Sequence, residues 1–133
     1  MKISVVTICY NSRLFIEKTI LSVINQSYED LEYIVVDGGS TDGTLDVIHK
    51  YSNRITKWIS EKDEGIYNAM NKALDIITGD WVIFMNSGDC FYRYDVLSNI
   101  DFLKYSEASC CGVIYGNGIS LYRKKRLLRR SEE

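Results

Sequence analysis

Short apolar runs alternate along this chain with segments in which apolar residues return every three or four positions. Residues 3–8 are apolar and rich in β-branched side chains, which predicts a buried first strand. Leu14, Ile16, Ile20, Leu21, Val23 and Ile24 follow with roughly helical spacing, and Asn11 or Ser12 is placed to cap that helix. Residues 33–36 predict a second strand, and Leu45, Val47 and Ile48 a helix entered through Thr41-Asp42-Gly43-Thr44. A third strand is expected over 55–59. Ile66, Ala69, Met70, Ala73, Leu74 and Ile77 lie at intervals of 3, 1, 3, 1 and 3, one face of a helix, with Asp63 in capping position. Gly79-Asp80 closes that helix before a fourth strand over 81–85. A helix over 95–105 and strands over 112–115 and 118–123 complete the expected order.

Strands that alternate with helices form a mainly parallel sheet covered on both faces, so the expected fold is α/β and Rossmann-like. In such a sheet the carboxyl ends of strands one, two and four share one edge, where open α/β sheets bind their ligands. Tyr10-Asn11, Asp37 and Asn86-Ser87-Gly88-Asp89 all fall on that edge. The second strand is the most telling, because Tyr33-Ile34-Val35-Val36 runs straight into Asp37-Gly38-Gly39-Ser40-Thr41-Asp42-Gly43. Its glycines let backbone approach a bound group closely. The same residues also suit a plain strand-to-helix loop in which Ser40 or Asp42 caps the next helix. Asn86–Asp89 likewise reads as a polar turn when taken alone.

A length of 133 residues makes one domain. The net charge of −2 conceals an asymmetry, since Arg123, Lys124, Lys125, Arg126, Arg129 and Arg130 hold six of the 16 basic residues. Residues 1–122 therefore carry 10 basic and 16 acidic side chains, a balance of −6 that argues against a nucleic-acid partner. Cys9, Cys90, Cys110 and Cys111 show no CxxC spacing, and His49 is the sole histidine, so a zinc site is not expected. No secretory signal follows Met1-Lys2, and free thiols in a reducing cytoplasm are expected. No apolar stretch reaches the roughly 18 residues needed to span a membrane.

One aromatic ring, two or three carboxylates and glycine-rich backbone at one edge suit a nucleotide bearing a diphosphate. Tyr10 can stack on a base, and an ionised Asp37 can only accept hydrogen bonds, here from a base or ribose donor. Carboxylates beside a diphosphate call for a divalent cation, and Asp89 offers a hard oxygen ligand for Mg²⁺ or Mn²⁺. The glycines after strand two do not follow GxGxxG, and no GxxxxGK[ST] segment is present, so neither a dinucleotide fold nor a P-loop is expected. A Ser/His/Asp hydrolase would depend on His49, which has no nucleophile elbow nearby.

Together these motifs resemble family 2 glycosyltransferases, inverting nucleotide-sugar enzymes with the GT-A fold. Val5-Val6-Thr7-Ile8-Cys9-Tyr10-Asn11 resembles their first-strand signature, and Val36-Asp37-Gly38-Gly39-Ser40-Thr41-Asp42-Gly43-Thr44 their acidic second-strand motif. Asp63-Glu64-Gly65-Ile66-Tyr67-Asn68-Ala69-Met70-Asn71-Lys72 is similar to a segment of the bacterial polysaccharide branch. Gly79–Asp89 is similar to the stretch carrying the metal motif. The resemblance implies a donor nucleotide-diphosphate sugar, a UDP-sugar, and a saccharide or lipid-linked saccharide acceptor. It implies that Tyr10 and Asn11 lie near the base, that Asp37 bonds it and that Asp63 lines the pocket. Ser87 would sit beside the diphosphate, Lys72 would offset phosphate charge, and Asp89 would bind Mn²⁺ or Mg²⁺.

Two departures qualify the resemblance. The usual Asp-x-Asp-Asp metal motif reads Asn86-Ser87-Gly88-Asp89 here, with a single carboxylate. Family members also continue well past 133 residues into a half that supplies the general base and much of the acceptor site. Asp95, Asp101, Glu132 and Glu133 make no convincing base. Residues 1–133 are therefore expected to form a single donor-binding domain, truncated before the acceptor region. The alternatives are a catalytically incomplete nucleotide-binding fragment or regulatory subunit, and an interaction domain that has lost its ligand. The basic run Arg123–Arg130 suits either contact with the remaining half or peripheral attachment to the anionic inner face of a membrane.

Overall fold

The computed structural model describes residues 2–99, 113–116 and 119–123, with side chains for 2–99. β1 (Ile3–Cys9), α1 (Ile16–Ile24), β2 (Leu31–Asp37), α2 (Thr44–Lys50), β3 (Lys57–Ser60), α3 (Ile66–Ile76) and β4 (Trp81–Phe84) follow in βα alternation. β5 (Val113–Gly116) and β6 (Ile119–Arg123) complete a six-stranded sheet of order β3-β2-β1-β4-β6-β5. β1 pairs in parallel with β2 and β4, and β2 with β3, while β6 runs antiparallel to β4 and to β5. The fold is thus the α/β, mainly parallel architecture expected. From β1 the chain steps outward to β2 and β3, then returns to place β4 on the other flank of β1. That reversal opens a crevice between the carboxyl ends of β1 and β4.

Side chains of a strand point alternately to the two faces of a sheet, and the two cores follow that period. Ile3, Val5, Tyr33, Val35, Trp81 and Ile83 pack on one face with Ile16, Ile20 and Val23 of α1 and Ile48 of α2. Val6, Ile8, Ile34, Val36 and Val82 pack on the other with Ala69, Ala73 and Leu74 of α3. Ile16, Ile20 and Val23 are fully buried, and each contributes about 1.5–3 kcal/mol by leaving water. At the amino edge of the sheet, Glu32 Oε2 accepts from Ser4 Oγ (2.7 Å), Thr78 N (2.9 Å) and Thr78 Oγ1 (3.0 Å). Burial alone would raise this carboxyl, but those hydrogen bonds hold it below the usual range.

Three local expectations change. α1 begins at Ile16, not near Leu14, because Phe15 N and Ile16 N both bond Ser12 O in a tight turn that leaves Leu14 exposed. Neither Asn11 nor Ser12 caps it, since both side chains are engaged elsewhere. Residues 95–99 form a turn and a 3₁₀ segment (Leu97–Asn99) where a helix was expected. Leu97 N donates to Gln26 Oε1 and Ser27 N to Tyr94 O, so this segment is pinned across the end of α1. The rest of the expected 95–105 helix lies outside the described residues, as does the basic run beyond Arg123. Among the described residues no helix is long and apolar enough to cross a membrane.

Candidate functional site

The site is built from the loops that follow β1, β2, β3 and β4 at the carboxyl edge. The loop after β1 is laced to the loop after β2 by Asn11 N to Ser40 Oγ (2.8 Å) and Thr41 N to Asn11 Oδ1 (2.9 Å). Ser12 N to Thr44 Oγ1 (2.9 Å) and Arg13 N to Asp42 Oδ2 (3.2 Å) extend the seam. Asn11 has φ +46°, a left-handed turn that asparagine tolerates better than most residues. That turn leaves the preceding Tyr10 ring 62% exposed at the rim. Asn11 thus works through the backbone it shapes, with its side chain bonded to the neighbouring loop.

Asp37 ends β2 and is fully buried. Its Oδ2 accepts from Gly39 N (3.1 Å), Ser40 N (2.9 Å) and Ser60 Oγ (2.8 Å). Its Oδ1 accepts from the Ser40 hydroxyl and from Cys9 Sγ (3.4 Å). Five donors meet a group with about four lone-pair directions, so the carboxylate is saturated by the protein itself. Burial pushes its pKa upward, but the bonds from Ser40, Ser60 and Cys9 outweigh that and hold it below the usual carboxylate range. The Cys9 thiol moves the other way, raised by burial and then by the charge of Asp37. Ser60 carries no motif and lies one residue past the strand end expected from sequence. Its register opposite Asp37 is what brings it in.

Asp63 presents the opposite case. It is half-buried and lines a cleft of about 310 Å³ together with Tyr10, Ser12, Ile66, Asn86 and Ser87. Its Oδ1 accepts from Gly65 N (3.1 Å), immediately before α3, while Oδ2 has no donor among the described residues. No side-chain bond caps α3 itself, whose N-terminal boundary residue is Gly65. Lys72 stands outside that lining, with Nζ paired to Glu61 Oε1 (3.1 Å) and donating to Lys62 O (3.3 Å).

The loop after β4, residues 86–89, is held by Ser87 N to Ile8 O (3.2 Å) and Asp89 N to Asn86 O (3.0 Å). Asn86 Oδ1 and Ser87 Oγ are buried without a hydrogen-bond partner among the described residues, and Asp89, two residues further along the loop, is exposed. Among the described residues no group of three or more His, Cys, Asp or Glu side chains could cage a metal ion. One carboxylate on the same short loop as two unpartnered oxygens fits a different kind of site. Mg²⁺ and similar cations are commonly held by one or two carboxylates plus substrate phosphate oxygens and water.

The edge thus offers an exposed ring, a free carboxylate oxygen and unpartnered oxygens around one cleft. Against known proteins, the model of "Glycosyl transferase family 2" matches residues 4–132. This chain belongs to glycosyl transferase family 2. It is 38% identical over 111 residues to the putative teichuronic acid biosynthesis glycosyltransferase TuaG of Bacillus subtilis, covering 81% of this chain and 43% of that protein. It is 34% identical over 102 residues to a PGL/p-HBAD biosynthesis glycosyltransferase of Mycobacterium bovis, covering 74% of this chain and 39% of that one. This family 2 chain therefore spans about two-fifths of the length of the relatives it matches.

Solved structures share its fold, among them the following two. S. aureus TarS 1–349 in complex with UDP superposes with a TM-score of 0.78 at 24% identity, covering 98% of this chain and 49% of that one. The mannosyltransferase PcManGT of Pyrobaculum calidifontis, in complex with GDP-Man and Mn²⁺, gives a TM-score of 0.84 at 21% identity, over 97% and 46%. The GT-A-type fold expected for family 2 is the fold observed.

Proposed function

We propose that this chain forms the donor-binding part of an inverting glycosyltransferase that uses a UDP-sugar in surface-polysaccharide synthesis. The observation that carries the reading is the cleft, where Tyr10, Asp63 and the oxygens of Asn86 and Ser87 meet at the switch between β1 and β4. The names of the relatives, which assign them to teichuronic acid and PGL/p-HBAD biosynthesis, support a role in surface-polysaccharide synthesis. Similar folds solved with UDP, UDP-GlcNAc and GDP-Man support a nucleotide-sugar donor.

Tyr10 would stack on the base and Asp63 Oδ2 would accept from it. Asp37 would act from behind, holding the Gly39–Ser40 backbone of the loop after β2 in place. Ser87 would flank the diphosphate. Asp89, with the Asn86 and Ser87 oxygens, would hold Mn²⁺ or Mg²⁺, which when bound offsets charge on the departing diphosphate. In the complete enzyme an acceptor hydroxyl, on a saccharide or lipid-linked saccharide, loses its proton to a base and attacks the anomeric carbon. The bond to the diphosphate breaks on the opposite face, and configuration inverts. The free thiols Cys9 and Cys90 support a cytoplasmic setting, and the basic run through Arg130 supports contact with its membrane.

A second reading has its own support. Asp63 is the one acidic residue of the cleft lining among the described residues, and it is assigned to the donor, which leaves no base there. The chain alone would then bind nucleotide without turnover. Calorimetric titration of UDP with Mn²⁺ and with EDTA tests the site, using Asp89→Ala to remove the cation ligand. Metal-dependent binding lost in Asp89→Ala supports the reading, and absence of UDP binding by both calorimetry and thermal shift overturns it. Sugar transfer or donor hydrolysis above a no-enzyme control separates the enzyme from the binding module.

A further inference from the structure

Thr19 is a hydroxyl on the wrong face of its helix. Its neighbours on that face, Ile16, Ile20 and Val23, are apolar and fully buried, and Thr19 is equally buried. A valine there would match the shape of the site and its apolar neighbours on the helix. The hydroxyl instead makes two bonds to a segment 69 and 70 residues away. Thr19 Oγ1 donates to Asp89 O at 2.7 Å and accepts from Gly88 N at 3.0 Å. Those two backbone groups bracket the dipeptide Gly88-Asp89, and Gly88 adopts φ +101°, a bend open to glycine.

The geometry points to Thr19 as a positioning residue for the cation site. It fixes both ends of the Gly88-Asp89 segment and so sets the direction in which the Asp89 carboxylate leaves the backbone. Partners one step removed from a metal ligand commonly change metal affinity by about 10–100-fold. Asp89 is exposed, whereas Thr19 is fully buried on the core face of α1. The proposal rests on Asp89 as a cation ligand, and the experiment separates the two claims.

The test is calorimetric titration of UDP at a series of Mn²⁺ concentrations for wild type, Thr19→Val and Thr19→Ser, with uridine as the metal-independent probe. Thr19→Val is expected to raise the Mn²⁺ concentration for half-maximal UDP binding about tenfold. Uridine affinity should stay unchanged, and Thr19→Ser should restore the wild-type Mn²⁺ dependence. Wild-type UDP binding that ignores Mn²⁺ removes the cation reading and this proposal with it. A wild type that needs Mn²⁺ and a Thr19→Val variant with the same midpoint removes the proposal alone. Equal losses of uridine and Mn²⁺ affinity mark general damage and also overturn it. Amide exchange in the wild-type chain needs no folded variant. A slowly exchanging Gly88 amide is expected, and exchange at the rate of an open loop overturns the clamp.

Discussion

The carboxylate of Asp63 occupies the room that a side chain at Gly38 would take. A β-carbon built on Gly38 would stand 2.8 Å from Asp63 Oδ2 and 3.2 Å from its Cγ. Two consecutive positions at the end of β2 therefore have opposite relations to acid. Asp37 turns its carboxylate inward to five protein donors, and Gly38 gives way so that a carboxylate from the loop after β3 can face the cleft.

Gly38→Ala should consequently damage the site more than the fold. The obstructing atoms are the end of a side chain that can swing away, and no left-handed backbone is required at residue 38. The melting temperature should stay near wild type while uridine affinity falls. Loss of one hydrogen bond to a charged group, about 1.5–3 kcal/mol, corresponds to roughly 10–100-fold. Unchanged uridine affinity in a folded Gly38→Ala variant would sink the assignment.

Gly79→Ala supplies the contrast. Its β-carbon would lie 2.5 Å from Ser4 Oγ, 2.8 Å from Ser4 N and 3.0 Å from Lys2 O, so most of the obstruction is strand backbone that cannot move aside. It would also push apart the Ser4–Glu32 bond at the amino edge of the sheet. A loss of about 1–3 kcal/mol in denaturant unfolding is expected, with uridine affinity of the folded fraction unchanged. A melting curve identical to wild type would contradict the packing described.

Asp37 should show its role in acid. Its folded pKa lies below the unfolded value of 3.8, so its stabilisation is present above that value and is lost as pH falls through the folded pKa. Wild-type stability should therefore drop as pH falls from about 5 toward 2, with Glu32 contributing in the same direction. Asp37→Asn should be less stable than wild type at pH 7 by about 1–3 kcal/mol, because an amide NH₂ faces donors that the carboxylate accepted. Its acid slope should also be shallower. Equal slopes for the two proteins in urea unfolding across pH would remove Asp37 as the group responsible.

The order and face of the elements were legible because burial imposes the strand and helix periods directly on Ile3–Cys9 and on the Ala69, Ala73, Leu74 face. The convergence of Tyr10, Asp37 and residues 86–89 followed from parallel pairing alone. What sequence could not supply was the direction of a side chain at a strand end. Asp37 and Asp63 are both acids on the same edge, and only the donors around them show that one is saturated and that the other, among the described residues, keeps an oxygen without a donor. Ser60 and Thr19 were silent for a related reason, since each acts through a contact with residues distant in the chain. Over residues 95–99 the expected helix gives way to a turn and a 3₁₀ segment, with the Leu97 N–H taken by Gln26 at the end of α1.

Asp63 should also decide which base is accepted. An ionised carboxylate only accepts, so Oδ2 favours a base that presents a ring N–H, as uracil and guanine do. Cytosine presents a ring nitrogen lone pair at the equivalent position, and two acceptors facing each other repel. Wild type should therefore bind UDP more tightly than CDP, by about 10–100-fold if the bond carries the usual strength of a charged hydrogen bond. Asp63→Asn can turn its NH₂ toward the cytosine ring nitrogen, so CDP should gain as UDP loses and the ratio should narrow or invert. GDP, measured beside them, tells whether the cleft admits a purine, as the fold relative solved with GDP-Man does. The deciding quantity is the UDP to CDP ratio in Asp63→Asn. A ratio equal to that of wild type would mean that Asp63 lines the cleft without reading the base, and the selection would have to come from the Tyr10 face alone.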